Sequence, residues 1–505
     1  MNYMRNSSIK NKVGLLIFSF VWLISSLLFS LFNQVFYRSD LLLFLLCIET
    51  LLAFFLLSYL LYRRSKTFFK IVTLFVMMYF LYLEGQVLLN CFGLTTNGLL
   101  SNKFDTNQIV TGILQVHIYM AFFLIGSCCA WKWTQGDSNE LVCKDMYDMN
   151  ALVVGYVILL CSLPFEVYVI LKKIGYSLSF GYASLYQDMV LNSIPSGAKI
   201  LSYFFVPACL YLLFASRRKS FSEILGLILI LIHAAAELII GYRASSIIPI
   251  IMVLYCFFVK AQNSGSIEIQ KKTKSMILKT GVALLILAIL VFPVVRASRN
   301  SGGLLSASSS IGETFSVDSY KELFSTVNDM GKSLQTVVYT AELVPDDYPY
   351  RYGYTYLVNL TEVIPNLFWE RHPAEVYGSL GKWLTKIVDP NFYKYGGTLG
   401  YSCVAEAYIN FGYIGLVFIP FLFGYILQKV ENRVDALKSP VSYAAFATVA
   451  LYLMSYPRGE SAELVRGIFW YMLMPYAFYS LTVNVKEKRR QNHDIGCSPN
   501  QKSGG

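Results

Sequence analysis

Apolar blocks of about twenty residues, separated by short polar connections, are the main pattern along the chain. An α-helix needs about that length to cross a hydrocarbon core of about 30 Å, whereas barrel strands are shorter and alternate between apolar and polar positions. The pattern therefore predicts an all-α polytopic membrane protein. We expect twelve spans, at approximately residues 13–32, 41–61, 68–90, 110–131, 150–171, 198–215, 221–240, 244–260, 276–295, 403–427, 441–457 and 463–485.

The composition agrees with this class, and the charge pattern adds an orientation. Apolar residues make up 55% of the 505 residues and charged residues only 14%, which excludes a soluble domain, where about a quarter of the residues are charged. Lysine and arginine collect in alternate connections, and such residues mark the cytoplasmic side of a membrane. Both termini are therefore expected in the cytoplasm. The net charge of +11 then anchors the protein at the membrane, so no nucleic acid is expected as a partner.

One connection is much longer than the others and defines the predicted domains. A loop of this length usually has structure or function of its own. Two of its stretches, 318–343 and 374–388, have apolar residues at helical spacing and are expected to lie along the membrane surface or over a cavity. The predicted domains are transmembrane helices 1–9 in residues 1–295, a large extracytoplasmic loop in 296–402, transmembrane helices 10–12 in 403–485 and a basic cytoplasmic tail in 486–505.

Ionisable residues of the spans lie at mid-depth or toward the predicted outer face, which favours a functional site there. Arg243 begins the eighth span, where a guanidinium and free backbone N–H groups could bind phosphate; the alternative is an ion pair with Glu237. Arg458 and Arg466 flank the start of the last span, where the charge rule expects no arginine. For Arg466 the alternative is an ion pair with Glu463, three residues before it.

Four further arginines and one histidine are candidates for substrate contacts. Arg296 and Arg299 end the ninth span, where capping of the helix C-terminus explains them equally well. In the long loop, Arg351 stands within a run of alternating tyrosines, whose faces suit sugar rings as well as the membrane interface. Arg371 and His372 belong to the densest polar cluster outside the spans. His372 is either an acid/base group or a solvated loop residue.

Two other groups of polar residues have structural explanations. His233 and Glu237 are four residues apart on one face of the seventh span, and a hydrogen-bonded pair is expected between them. The ten cysteines lie mostly in apolar runs and form no CxxC pair or Cys/His cluster. We therefore expect neither a metal nor a cofactor.

The region 395–415 contains the most recognisable motif. A glycine-rich segment leads into Ala405-Glu406-Ala407-Tyr408-Ile409-Asn410-Phe411-Gly412 and then into a span. This motif resembles the Wzy-type O-antigen and capsular polysaccharide repeat-unit polymerases, as do Gly241-Tyr242-Arg243, the Arg296/Arg299 pair and Arg458-Gly459. The predicted topology, with one large outer loop between spans 9 and 10, is also similar to GT-C-like polymerases and ligases.

The resemblance implies a metal-independent glycosyltransferase in the bacterial plasma membrane. Such an enzyme transfers a growing glycan from undecaprenyl pyrophosphate to a lipid-linked repeat unit at the outer face. Its base would be Glu406 or His372. Its substrate-binding residues would be arginines, namely Arg243, Arg458 and Arg466, followed by Arg296, Arg299, Arg351 and Arg371. The implied partners are the lipid-linked oligosaccharide and the bilayer, with a chain-length regulator and a flippase as further partners.

Three alternatives remain open on the sequence alone. An O-antigen ligase has a similar topology and a large late loop but uses a different acceptor. A flippase for lipid-linked oligosaccharides should have short loops throughout and charged residues around a cavity at the midplane, which the long loop disfavours. A non-catalytic partner of a synthesis complex would also fit the composition.

Overall fold

The computed structural model describes residues 2–35, 40–95, 98–131, 146–180, 184–185, 193–300, 319–364 and 369–484. Within these ranges, the side chains of residues 2–10, 34, 284–300 and 319–323 are not described. The described residues form α-helices joined by turns, with short 3-10 and π-helical segments and no β-strand among them. The predicted all-α class is therefore confirmed.

The chain forms eighteen described helices, which we number in order. The first nine are α1 (Asn2–Val35), α2 (Asp40–Ser65), α3 (Ile71–Asn90), α4 (Thr106–Ala130), α5 (Met149–Phe180), α6 (Ser196–Ala215), α7 (Phe221–Ile240), α8 (Arg243–Asn263) and α9 (Ile267–Asn300). The long connection contains α10 (Ser319–Gly331), α11 (Leu334–Leu343), α12 (Tyr354–Thr361), α13 (Pro373–Tyr377), α14 (Leu380–Val388) and α15 (Pro390–Lys394). The last three are α16 (Cys403–Leu437), α17 (Pro440–Ser455) and α18, which begins at Ser461–Arg466, passes through a π-helical turn at Gly467–Leu473 and continues to residue 484.

Nine of the described helices, α1 to α8 and α16, are long and apolar enough to cross a membrane. The protein is therefore an integral membrane protein with several spans. The three other predicted spans stay predictions: 276–295 is part of α9, 441–457 nearly coincides with α17, and 463–485 nearly coincides with α18. With 16 residues, α17 rises about 24 Å, so it is shorter than a hydrocarbon core.

The long helices pack as two groups. In one group α4 lies against α1 and α16, with α2 and α3 beside them; in the other, α6 lies against α5, α7 and α17. The helix α17 also contacts α3, α8 and α16, so it joins the two groups, and α18 packs on it. The second group, together with α8 and α18, surrounds the larger of two cavities.

Two glycines allow α4 and α16 to cross with their backbones in contact. A Cβ on Gly126 would overlap the carbonyl oxygen of Phe421, and a Cβ on Gly424 would overlap the carbonyl oxygen of Phe123. Small residues permit such close approach between transmembrane helices, where packing and not hydrophobicity drives association. Because the contact is reciprocal, it fixes the position of α16 against α4.

The long connection folds onto the ends of the helices. Residues of α10 contact α3, and α11 packs against α4 and α16. Leu334 and Val338 on α11 and Leu380 and Leu384 on α14 are buried, whereas Lys382 and Lys386 of α14 are exposed. The prediction of amphipathic helices in 318–343 and 374–388 is confirmed, and their apolar sides are covered by protein.

Candidate active site

The site is assembled around a kink in α16. Gly412 has φ 58° and ψ −143°, a conformation that residues with a Cβ avoid. The kink interrupts the helical hydrogen bonding, and the carbonyl oxygens of Ile409 and Asn410 instead accept the backbone N–H groups of Arg351 and Tyr352, each at 2.9 Å. The tyrosine-rich part of the long connection is thereby attached to the first turns of α16.

Glu406 ties three helices together at the same place. Its side chain is fully buried on α16, where Oε1 accepts hydrogen bonds from Asn359 Nδ2 of α12 at 3.1 Å and from the Ser461 hydroxyl of α18 at 2.7 Å. Its other oxygen, Oε2, accepts the backbone N–H of Ser461 at 2.8 Å. Both carboxylate oxygens are therefore occupied by protein donors, and Glu406 lines neither of the cavities described here.

A small, carboxylate-rich cavity of about 120 Å³ lies beside the contact between α12, α16 and α18. Glu362, Glu460 and Glu463 line it together with Arg466, whose Nη2 lies 3.1 Å from a carboxylate oxygen of Glu362. Arg466 thus pairs with Glu362 of the preceding long connection. The carboxylate of Glu460 accepts two backbone N–H groups at the start of α14, and burial raises its pKa. The last helix and the long connection are held together across this cavity.

A larger cavity of about 570 Å³ opens between α5, α6, α7, α8, α17 and α18. Three cations line it: Lys173 of α5, Lys199 of α6 and Arg466 of α18. Arg466 and Glu463 line both cavities, so the two spaces adjoin. The volume is within the range of about 300–1,000 Å³ that is usual for sites of small ligands.

Two polar contacts, a hydrogen bond and an ion pair, cross from α5 to α7 in the wall of the larger cavity. Glu166 Oε1 lies 2.7 Å from His233 Nδ1, and Lys173 Nζ lies 3.7 Å from Glu237 Oε1. The expected pair of His233 with Glu237 is therefore wrong. Because side chains from the neighbouring helix are within reach, His233 contacts Glu166 and Glu237 contacts Lys173, so each residue of that pair has its partner on α5 instead of on its own helix.

Arg243 is held by the long connection. Its Nη1 lies 3.8 Å from an Asp329 carboxylate oxygen and 3.4 Å from the Thr326 hydroxyl, both on α10. The alternative pairing of Arg243 with Glu237 is wrong. Its neighbour Tyr242 lines the larger cavity, whereas Arg243 itself is not part of the cavity wall.

Three of the other predicted arginines, Arg351, Arg371 and Arg458, belong to the long connection or to the turn before α18. Arg458 and Arg371 are exposed, and the guanidinium of Arg351 lies 4.8 Å from the ring centre of Trp383. Burial lowers the pKa of Arg351, although the group stays cationic. Arg296 and Arg299 belong to α9, but their side chains are outside the described part of the structure. Among the described predicted arginines, only Arg466 lines a cavity.

His372 serves the local structure of the loop. Its Nδ1 accepts the backbone N–H of Ala374 and so caps α13, while its Nε2 lies 3.1 Å from the carbonyl oxygens of both Thr361 and Ile364. Both ring nitrogens are therefore engaged with the backbone. In this arrangement the ring has no free nitrogen with which to accept a proton from a substrate.

Sequence reasoning missed Lys173 and Lys199. A signal was present, because Lys172, Lys173 and Lys199 all stand at the predicted outer connection between spans 5 and 6, against the charge rule. Glu362 and Asn359 gave no comparable signal, since their role depends on partners far away in the sequence. Within the described residues, no group of three or more His, Cys, Asp or Glu side chains is arranged to hold a metal ion.

The comparisons with known proteins agree with this architecture. The sequence model of the family described as O-antigen polysaccharide polymerase Wzy matches residues 15–490, which is nearly the whole chain. No curated protein and no solved structure matches the chain. Members of the family act on lipid-linked oligosaccharide repeat units in the membrane. The match includes both helix groups, the long connection and the two cavities, and the protein therefore belongs to the Wzy family of O-antigen polysaccharide polymerases.

Proposed function

We propose that the protein is a repeat-unit polymerase that transfers a growing glycan from undecaprenyl pyrophosphate to a lipid-linked repeat unit. The observation that carries this proposal is the larger cavity, which is open among membrane helices, lined by cations and adjacent to a smaller cavity under the long connection. The lipid could enter between helices while the glycan lies toward the long connection. The transfer would take place where the two cavities share Arg466 and Glu463.

In this proposal, Lys173, Lys199 and Arg466 bind the pyrophosphate. Phosphate oxygens form strong, charge-assisted hydrogen bonds with ammonium and guanidinium groups, and these bonds gain strength as negative charge develops on the leaving group. The carboxylates of Glu237 and Glu362 position Lys173 and Arg466 before the substrate arrives. A phosphate would compete for the same cations.

The sugars would lie against the tyrosines and the small cavity. Tyr203, Tyr452 and Tyr471 line the larger cavity, and their faces and hydroxyl groups suit sugar rings. Glu406 is proposed as a positioning residue, because it holds Asn359 at the edge of the small cavity and fixes the start of α18. The exposed Arg371 and Arg458 are proposed to contact the emerging glycan.

The proposed setting is the bacterial plasma membrane, with both termini in the cytoplasm and the long connection outside. The long connection covers one end of the helix groups, and the lysine-rich and arginine-rich connections would then face the cytoplasm. A flippase that supplies repeat units and a regulator of chain length are proposed partners. The long connection offers the surface that such partners could reach.

The experiment is reconstitution in liposomes with lipid-linked repeat units, followed by electrophoresis of the glycans. Wild-type protein should give a ladder spaced by one repeat unit. Lys173→Met removes one charged contact to the pyrophosphate, worth about 1.5–3 kcal/mol, and should lower the turnover about 10- to 100-fold. Lys172→Met is the matched control, because Lys172 is exposed and does not line the cavity. Its ladder should match that of the wild type.

Three results would contradict the proposal. A single transfer that appears only with a lipid A core acceptor would indicate a ligase, and lipid movement without any new glycosidic bond would indicate a flippase. Equal ladders from Lys173→Met and Lys172→Met, at matched protein levels and melting temperatures, would show that the larger cavity does not hold the pyrophosphate.

A further inference from the structure

We propose that His233 is the general base of the transfer reaction and that Glu166 orients it. This inference rests on the proposed function, since it places the acceptor hydroxyl in the larger cavity. Both residues line that cavity, and they come from different helices, α7 and α5. Folding therefore brings the two residues together, in the same cavity wall as Lys173 and Lys199.

The geometry of the pair leaves one ring nitrogen available. Glu166 Oε1 is 2.7 Å from His233 Nδ1, and because the carboxylate oxygen accepts, the imidazole carries its proton on Nδ1. No described residue forms a hydrogen bond with Nε2. The ring of Phe205, whose centre lies 5.8 Å from that of His233, packs beside the imidazole. In the neutral imidazole, Nε2 therefore carries the lone pair, on a ring that its hydrogen bond with Glu166 orients.

The other described histidines lack this arrangement. His117 is fully buried within the first helix group, where its ring nitrogens face Ser26 at 3.3 Å, Thr50 at 3.1 Å and Glu84 at 3.4 Å. The ring nitrogens of His372 are both engaged with the backbone. Among the described histidines, His233 alone combines a carboxylate partner, a free nitrogen and a position on the wall of a cavity.

The proposed step moves one proton and exchanges one bond. The acceptor hydroxyl oxygen bonds to the anomeric carbon of the donor sugar as the bond from that carbon to the pyrophosphate oxygen breaks. The electron pair of the broken bond leaves with undecaprenyl pyrophosphate, which Lys173, Lys199 and Arg466 stabilise. The hydroxyl proton passes to Nε2 of His233. Glu166 stabilises the imidazolium that forms, as a carboxylate does in other histidine–carboxylate pairs.

Several other charged groups face the same cavity and can also contribute to the pH dependence of turnover. Glu237 is paired with Lys173, and Arg466 is paired with Glu362 outside the larger cavity. The remaining titratable residues of the cavity wall are Lys199, Glu463, Tyr203, Tyr242, Tyr452 and Tyr471. Because several groups can titrate, the test must show that the pH dependence follows His233 itself.

The experiment measures single-turnover transfer by the full-length protein in liposomes, with the pH varied from 5 to 8. Wild-type turnover should fall as the pH drops, because a base that already carries the proton cannot accept one from the acceptor hydroxyl. His233→Gln should lower turnover at least about 100-fold and abolish this acidic limb, because the amide cannot act as a base. Its affinity for undecaprenyl pyrophosphate should stay within about threefold of the wild type, since a base contributes little to ground-state binding. His493→Gln, in the basic tail, is the matched histidine control and should behave as the wild type.

Glu166→Gln provides a second and milder test. The amide oxygen of glutamine can still accept a hydrogen bond from Nδ1–H of His233, but a neutral partner stabilises the imidazolium less than a carboxylate does. The acidic limb should therefore move to lower pH, and the plateau turnover should fall by about tenfold or more. If His233→Gln does not fold, the direction of this shift decides the question.

The inference would be overturned if His233→Gln kept more than about a third of the wild-type turnover, or if the acidic limb persisted in that variant. An unchanged acidic limb in Glu166→Gln would overturn it too. Failure of the proposed function looks different, because the wild type would then form no ladder. A wild-type ladder with an inactive Lys173→Met and a fully active His233→Gln would retain the polymerase and reject His233 as its base.

Discussion

Replacing Glu406 by glutamine tests whether this carboxylate holds α12, α16 and α18 together or acts as a base. Its two oxygens accept three donors, one from Asn359 and two from Ser461. A glutamine offers one oxygen and one amide group. If the glutamine oxygen accepts the backbone N–H of Ser461, its amide group can donate to the Ser461 hydroxyl. That amide group then faces the amide group of Asn359, so two donors oppose each other. At least one buried donor is left unpaired.

The magnitude follows from that count. One unsatisfied buried donor costs about 1–3 kcal/mol, so we expect Glu406→Gln to weaken the attachment of α12 to α16 and α18 by about 2 kcal/mol. This corresponds to a change of about 30-fold in the opening equilibrium. Glu406→Ala should cost more, because all three donors lose the carboxylate and Asn359 Nδ2 keeps only the Ser461 hydroxyl, at 2.9 Å. The exposed Glu375 on α13 supplies the control, and Glu375→Gln should change nothing.

Hydrogen exchange measured by mass spectrometry is the assay. Peptides from α12 and from the start of α18 should lose about 30-fold of their protection in Glu406→Gln, whereas peptides from α4 should not change. Turnover should fall much less than protection, because a 30-fold rise in a small open fraction leaves most molecules closed. If protection stayed within twofold of the wild type while turnover was abolished, Glu406 would act on the substrate directly and the positioning role would be refuted.

Three further predictions concern the contacts that shape the site. Gly424→Ala should lower the melting temperature in detergent, because the added Cβ would overlap the carbonyl oxygen of Phe123. Gly281→Ala is the control and should not lower it, because nothing lies within 4 Å of the added Cβ; equal melting temperatures of the two variants would contradict the close crossing of α4 and α16. Gly412→Ala should increase hydrogen exchange around Arg351 and Tyr352, since alanine resists a φ of 58°, and unchanged exchange there would argue against the kink. Glu362→Gln should remove the ion pair with Arg466 and make the long connection more sensitive to protease, which limited proteolysis of the intact protein would detect. Equal cleavage rates in wild type and variant would count against the ion pair.

The all-α class and the amphipathic helices could be predicted because both depend on local pattern. Apolar residues at helical spacing in 374–388 predict α14, and the structure buries Leu380 and Leu384 on its inner side. The number of membrane spans is harder to predict from hydropathy. The helix at 440–455 is short and largely buried by protein, so its composition reports protein packing as much as contact with lipid.

The pairings of charged residues could not be predicted, because they join distant parts of the chain. Glu406 meets Asn359 across 47 positions and Ser461 across 55, and His233 meets Glu166 across 67. Local spacing suggested His233 with Glu237 and Arg243 with Glu237, and the fold offered each residue another partner. Periodicity along one helix cannot reveal which side chains a neighbouring helix presents.

The most direct test of the account is to locate the pyrophosphate. A lipid-linked repeat unit with a photoreactive diazirine next to the pyrophosphate would be irradiated with the protein in liposomes, and the labelled peptides would be identified by mass spectrometry. We predict labels in α5, α6 and α18 near Lys173, Lys199 and Arg466, and loss of these labels when undecaprenyl pyrophosphate competes. Labels confined to the first helix group or to α10 and α11, or labels that the competitor does not reduce, would contradict the proposal that the larger cavity is the site of transfer.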